Sequence, residues 1–261
     1  MIIIVMKKII LILCLCVAAC AGIRPIDSPV EIAAGRYIGA PYVLDSLGEG
    51  PGAPYDSDPI HRTDAFDCLT FVETVLADAR GIDLQKIRYS GGRVDWFERN
   101  HWTESQWIPN AEKLNLIRPV EFDESVHSHA SVNLGEWYSE KIPPLAKVSG
   151  GEPVSVNARD RKIIESAVPF EMSVPYVPRA DTTSELLSRL PRDVVVFFIK
   201  CGASTPVIRG DYIAHTGFLF GGRNLVHAGQ DAGVVRVDFR GYLNTGKFCG
   251  VAFYKVIDDN E

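Results

Sequence analysis

Cys68, His215 and His227 are the residues whose types and settings best fit nucleophilic chemistry. Cys68 follows Asp67 in FDCLTFVETVLA, where Phe71, Val72, Val75, Leu76 and Ala79 recur at helical spacing. Asp64 or Asp67 can cap this helix and Gly81 can stop it, which puts the thiol in the first turn. There, unpaired N–H groups and the helix dipole favour a thiolate. A free cysteine also serves as small apolar filler, but Leu69 and Phe71 already supply that surface. Such a thiol needs an imidazole to take its proton and later return it to a leaving group. His215 in DYIAHTGFLF and His227 in LVHAG stand on two strand-like runs joined by Gly221-Gly222-Arg223-Asn224. Their midpoint is Gly221, so they share a face if the loop has an odd number of residues or a bulge intervenes. His227 can then orient the ring of His215, as an acid or amide does in other triads.

The start of the chain reads as an address. Lys7 and Lys8 precede the apolar run Ile9–Ala19, shorter than the roughly 20 residues a spanning helix needs. A start at Met6 would give an ordinary signal peptide. The run ends in Val17-Ala18-Ala19-Cys20, which resembles the lipobox of bacterial lipoproteins, with Cys20 as the acylated residue. The alternative is a plain signal cut near Ala21. The organisation expected is a lipoprotein signal peptide over 1–19, a tether over 20–29 and one domain over 30–261, with 93–190 inserted to shape a substrate cleft. A lipid anchor would hold the protein in the cell envelope, in the periplasm or at the outer membrane. Once Cys14, Cys16 and Cys20 are set aside, Cys68, Cys201 and Cys249 remain, so at least one thiol is unpaired. Whether Cys201 and Cys249 form a disulfide stays open.

The elements that must position these groups are of two kinds. Val30–Tyr37 and the Cys68 run read as helices, and a further helix is expected near 93–104. Leu47–Arg62 reads as an irregular loop, and Glu121–Arg192 as loops with a strand or two. From Asp193 onward the texture is β: Val194–Ile199, Tyr212–Phe220, Leu225–Ala228, Val234–Phe239 and Val251–Val256. Helices first and an antiparallel sheet last make an α+β fold. A hydrophobic content of 46% excludes wholesale disorder, and a net charge of −6 without a basic stripe argues against nucleic acid as a partner. No HExxH, GxSxG or P-loop is present, and His127-x-His129 has no Cys or acid at ligand spacing, so no metal is expected.

FDCLTFVETVLA, HTGFLF and LVHAG, in that order and spacing, resemble the NlpC-type papain-fold cell-wall hydrolases. The upstream GAPYVLDSLG is similar to that family's GxPY segment, whose Tyr42 contacts the nucleophile region. RNHWTESQWIPN, VPYVP and LPRDVVVFF are closer to a branch described as N-acetylmuramoyl-L-alanine amidase-like. The resemblance implies a papain-like α+β domain with the catalytic helix packed on an antiparallel sheet. It implies a cysteine amidase that cuts the amide between N-acetylmuramic acid and L-Ala in peptidoglycan or its fragments, without a cofactor. Cys68, His215 and His227 would be catalytic, and Tyr42, Asp67, Arg99, His101, Trp107 and Asn110 would bind substrate. An alternative for the Arg99–Asn110 stretch is a surface helix pinned by its tryptophans. The family's usual Gly-Asp before the third strand reads Arg192-Asp193 here, which puts a Gly-dependent turn in doubt. Two other functions stay open: an endopeptidase of the same fold cutting between γ-D-Glu and the diamino acid, and a wall-binding lipoprotein without turnover.

Overall fold

The computed structural model describes residues 27–128, 130–138, 140–141, 156–200 and 212–258. The signal segment, Cys20 and Cys201 lie outside the described residues, while Cys249 is disulfide-bonded.

Helix α1 (Pro29–Arg36) starts at Ser28, whose Oγ accepts from the Glu31 N–H at 3.0 Å, and has proline in its first position. Helix α2 (Cys68–Arg80) starts at Asp67 and stops at Gly81, whose φ of 59° is left-handed. Its Phe71, Val72, Val75 and Leu76 are fully buried. Burial of each stabilises the fold by about 1.5–3 kcal/mol, and this is what holds α2 against the sheet. The helix expected near 93–104 is instead a 3-10 turn at Trp96–Glu98 and a π turn at Thr103–Trp107. Here the competing Asp95 side chain caps the first turn through the Phe97 N–H.

The strands are β1 (Ile117–Val120), β2 (Val126–His127), β3 (Ala130–Val132), β4 (Phe170–Met172), β5 (Pro175–Pro178), β6 (Asp193–Lys200), β7 (Ile213–Phe220), β8 (Asn224–Gly229), β9 (Gly233–Asp238) and β10 (Phe248–Val256). An eight-stranded antiparallel sheet runs β2-β5-β10-β6-β7-β8-β9, and β1 also pairs with β10; β3 and β4 form a separate ladder. The fold is thus α+β with an antiparallel sheet. The middle of the chain contributes β1, β2 and β5 to that sheet. Arg192 has no positive φ, so the position before β6 places no demand for glycine.

Alternation along the strands gives the sheet two buried faces. Val195, Phe197, Phe218 and Val226 pack with α1 and α2 in the main core. Val196, Phe198, Leu219 and Leu225 face a second cluster that includes Leu186 and Leu187 and, from the short helix Phe239–Leu243, Phe239 and Leu243. A third cluster gathers Tyr55, Trp96, Trp102, Trp137 and Tyr138 beside the sheet.

Candidate active site

Cys68 occupies the first turn of α2, as its spacing predicts. Asp67 Oδ1 accepts from the N–H groups of Leu69 (3.0 Å) and Thr70 (2.8 Å), and Thr70 Oγ1 accepts from the Asp67 N–H (2.9 Å). This capping box fixes the turn on which the half-buried, free thiol stands. Asp67 is therefore the helix cap. Tyr42 is tied beside it by a backbone bridge to Phe66. Burial raises the Tyr42 phenol to about 12, with the Cys68 sulfur and the Asp67 carboxylate adding to the shift.

The hairpin carrying the histidines has a three-residue loop, 221–223, because Asn224 is already paired with Phe220. That odd number satisfies the condition for a shared face. Extending the register sets Gly217 opposite His227, with His215 diagonal to it. The ladder between β7 and β8 is formed only from Phe218↔Val226 to Phe220↔Asn224; beyond it the Thr216 N–H reaches the Cys68 sulfur. A bulge between β6 and β7 leaves Ala214 unpaired just before His215, which sits opposite Phe198. His215 Nε2 and His227 Nδ1 lie 2.8 Å apart. Gly217 makes this possible, since a Cβ there would stand 2.8 Å from His227 Cβ and 2.7 Å from Val226 O. At the mouth of β7, Glu104 Oε1 accepts from the Ile213 N–H at 2.7 Å, so the π turn anchors the strand that carries His215.

The charges settle differently from the expectation of a stabilised thiolate. Burial, and then the adjacent Asp67 carboxylate, push the Cys68 thiol up to about 12. The N–H groups of Thr216, Cys68 and Leu69 pull the other way and do not offset that. Burial holds His215 down at about 3, with His227 and Lys247 adding to the shift, and holds His227 at about 4. At rest the thiol and both rings are therefore neutral.

Arg99 and His101 line a cavity of about 380 Å³ with Trp96, Trp102, Trp137 and Ile213, the last two residues from His215. A smaller cavity of about 100 Å³ runs from Asp67 and Leu69 to Arg99 and His101, joining this space to the start of α2. Arg99 is clamped by Glu49 (Nε, 2.8 Å) and Asp56 (Nη2, 2.7 Å), so its charge is matched within the wall. His101 Nε2 lies 2.7 Å from the Trp96 carbonyl, and its ring packs on Trp96 at 4.5 Å. Two expected substrate contacts lie elsewhere. Trp107 is fully enclosed in the main core and donates from Nε1 to Glu73 at 3.0 Å, and Glu73 is in turn ion-paired with the buried Arg88. Asn110 is buried and donates to the carbonyls of Lys86 and Ile87, both at 2.9 Å. Neither presents a face to the cavity. The polar atoms that looked free for a ligand satisfy a buried carboxylate and the backbone instead.

Sequence reasoning missed Tyr242, whose ring lies 4.5 Å from that of His227 and 5.7 Å from that of His215. It also missed Trp137, stacked on Trp96 at 5.6 Å. Nothing in their local patterns marks either one.

The family model described as N-acetylmuramoyl-L-alanine amidase-like matches residues 32–251. A solved protein from Legionella pneumophila superimposes with a TM-score of 0.72 at 25% identity, covering 88% of each chain. A solved N-acetylmuramoyl-L-alanine amidase from Bacteroides uniformis superimposes with a TM-score of 0.59 at 26% identity, over 88% of this chain and 98% of its own. No curated protein matches the chain. The family match spans most of the sequence, and at family level it carries a peptidoglycan amidase-like, hydrolytic function. The chain belongs to the N-acetylmuramoyl-L-alanine amidase-like family.

Proposed function

We propose that this chain is a cysteine amidase of the NlpC-type papain fold, cutting the amide between N-acetylmuramic acid and L-Ala in peptidoglycan or its fragments. The observation that carries the reading is the 2.8 Å contact between His215 Nε2 and His227 Nδ1, next to a Thr216 N–H that reaches the Cys68 sulfur. With His215 Nε2–H donating to His227 Nδ1, His215 Nδ1 is left bare to accept the thiol proton. Because both groups rest neutral, the proton moves as the sulfur attacks the lactyl carbonyl. The carbonyl π electrons pass to oxygen, which the Cys68 N–H stabilises; losing one such donor costs about 10²–10³ in rate. The tetrahedral species collapses, the C–N bond breaks, and His215 returns its proton to the L-Ala amine. Water, deprotonated by His215, then hydrolyses the thioester and the thiol is re-formed.

The cavity beside Arg99 and His101 is the substrate side of this groove, with tryptophan faces suited to a sugar ring. Tyr42, bridged to Phe66 and near enough to feel the Cys68 sulfur, stands beside the nucleophile. Cys20 supplies a lipid anchor, and the cell envelope is the site of action. Mass spectrometry of products from a defined muropeptide tests the bond. Release of the intact stem peptide is expected, whereas a sugar that keeps L-Ala–D-Glu, with release of the peptide beginning at the diamino acid, overturns it in favour of the endopeptidase. Cys68→Ala is expected to abolish turnover, and a variant as active as wild type would remove Cys68 from the mechanism. Wild-type protein that binds muropeptide without turning it over would make it a binder.

A further inference from the structure

We propose that Tyr242 is a positioning residue, whose ring holds the His227–His215 pair in its working orientation and keeps water from it. The inference rests on the reading of Cys68, His215 and His227 as the reacting set. A triad whose third member is a neutral imidazole has a problem that a carboxylate lacks. Imidazole can donate or accept at either nitrogen, so nothing in the His215–His227 bond alone fixes which ring holds the shared proton. What packing can fix is the angle at which the two rings meet, and that is set by what surrounds the outer ring.

His227 is only 3% exposed, and its surroundings are unequal. On one side stand the glycines: Gly229 is so close that a Cβ there would be 3.1 Å from His227 Cε1, and Gly217 faces His227 Cβ. The other side is the Tyr242 ring, tilted by 50° at 4.5 Å. The same ring reaches His215 at 5.7 Å, so one side chain touches both imidazoles. Tyr242 is itself held in an aromatic box, 5.2 Å from Phe198 and 5.7 Å from Phe248. Its short helix Phe239–Leu243 is fixed to the histidine hairpin, because the Phe239 N–H donates to the Arg223 carbonyl at 2.9 Å. Asp238 caps the same helix through the Gly241 N–H at 2.8 Å. The loop that sets the hairpin register thereby also sets the ring that covers it.

The charged group that acts on the pair is Lys247, from the turn before β10, and the ring that packs on both is Tyr242, which in turn feels Cys68 at the start of α2. Burial raises the Tyr242 phenol to about 12, with Cys68 the second cause, so it stays neutral while the rings exchange protons.

Nitrogen NMR of the histidine rings reads the claim without any substrate, so a wrong assignment of the cleaved bond leaves this test intact. In the wild-type protein His227 is expected to be bare at Nδ1 and protonated at Nε2; the reverse tautomer would leave the held orientation unable to work, and overturns the proposal whether or not any variant folds. Tyr242→Met is expected to shift the titrations of both rings upward toward 6.5, the ordinary imidazole value. It should also lower kcat by about 10- to 100-fold, the scale of a misplaced group, with KM little changed. Tyr242→Phe is expected to restore both titrations and kcat. Unmoved titrations in Tyr242→Met overturn the proposal. So does a Tyr242→Phe variant as damaged as Tyr242→Met, since that would assign the effect to the hydroxyl.

Discussion

Gly217→Ala probes the geometry most directly, because it adds one methyl group and no charge. The new Cβ would meet His227 Cβ at 2.8 Å and Val226 O at 2.7 Å, where ordinary contacts begin near 3.4 Å. Pairing holds both strands, β7 to β6 and β8 to β9, so the strain falls on the gap between them and on the His227 side chain within it. His227 must retreat by about 0.6 Å, which stretches the 2.8 Å His215–His227 contact to the limit of a useful hydrogen bond. A displacement of that order costs about 10²-fold in kcat, while overpacking costs about 1–3 kcal/mol of stability. The assay is steady-state hydrolysis of a defined muropeptide, with urea unfolding on the same samples. Leu186→Ala, in the second cluster, controls for stability: it should lose about 2–5 kcal/mol and keep its kcat. A Gly217→Ala enzyme with wild-type kcat would refute the argument that the glycine exists to let the two rings meet.

Three further outcomes follow from the same structure. Asp67→Asn keeps an acceptor for the α2 cap but removes the charge that helps raise the thiol, so iodoacetamide should label Cys68 faster than in wild type near pH 8; equal or slower labelling contradicts this. His101, His215 and His227 resist protonation in the folded chain, with values depressed to about 3, 3 and 4. The unfolded chain therefore takes up protons first, and stability falls as pH drops below about 6.5. His101→Gln should flatten that fall in urea midpoints between pH 7 and pH 5, and an unchanged slope would be incompatible with the buried neutral ring. Arg88→Met leaves Glu73 buried without its partner and should cost about 3–5 kcal/mol in urea unfolding, whereas a loss under about 1 kcal/mol would show the pair to be dispensable.

The parts of the site legible in the sequence are those where one residue type answers one local demand. An Asp before a helical repeat, a Gly after it and a Cys in the first turn define α2 because caps act within four residues. The histidine hairpin was readable up to a parity condition, which the three-residue loop then met. Arg99–Asn110 was harder, because its side chains answer to distant partners. Trp107 looks like a ligand platform until Glu73, far away in sequence, is seen to take its N–H. The aromatic wall draws Trp137 from a different segment, and Tyr242 comes from a short helix beyond the sheet strands it covers. The state of the thiol was misjudged because helix position is local, whereas burial is set by the whole fold.

The unpaired Ala214 acts as a one-letter frameshift in the inside–outside reading of β7. Ahead of it, Ile213 points to the main core; after it, Phe218 and Phe220 face that core, while His215 is turned toward Phe198 and Tyr242. Deleting Ala214 would close the bulge without carrying either neighbour across the sheet, because Ile213 and His215 would then be adjacent and already face opposite sides. A relative lacking that residue would keep both faces and lose only the local kink, so what the extra residue sets is the angle at which the histidine leaves the strand.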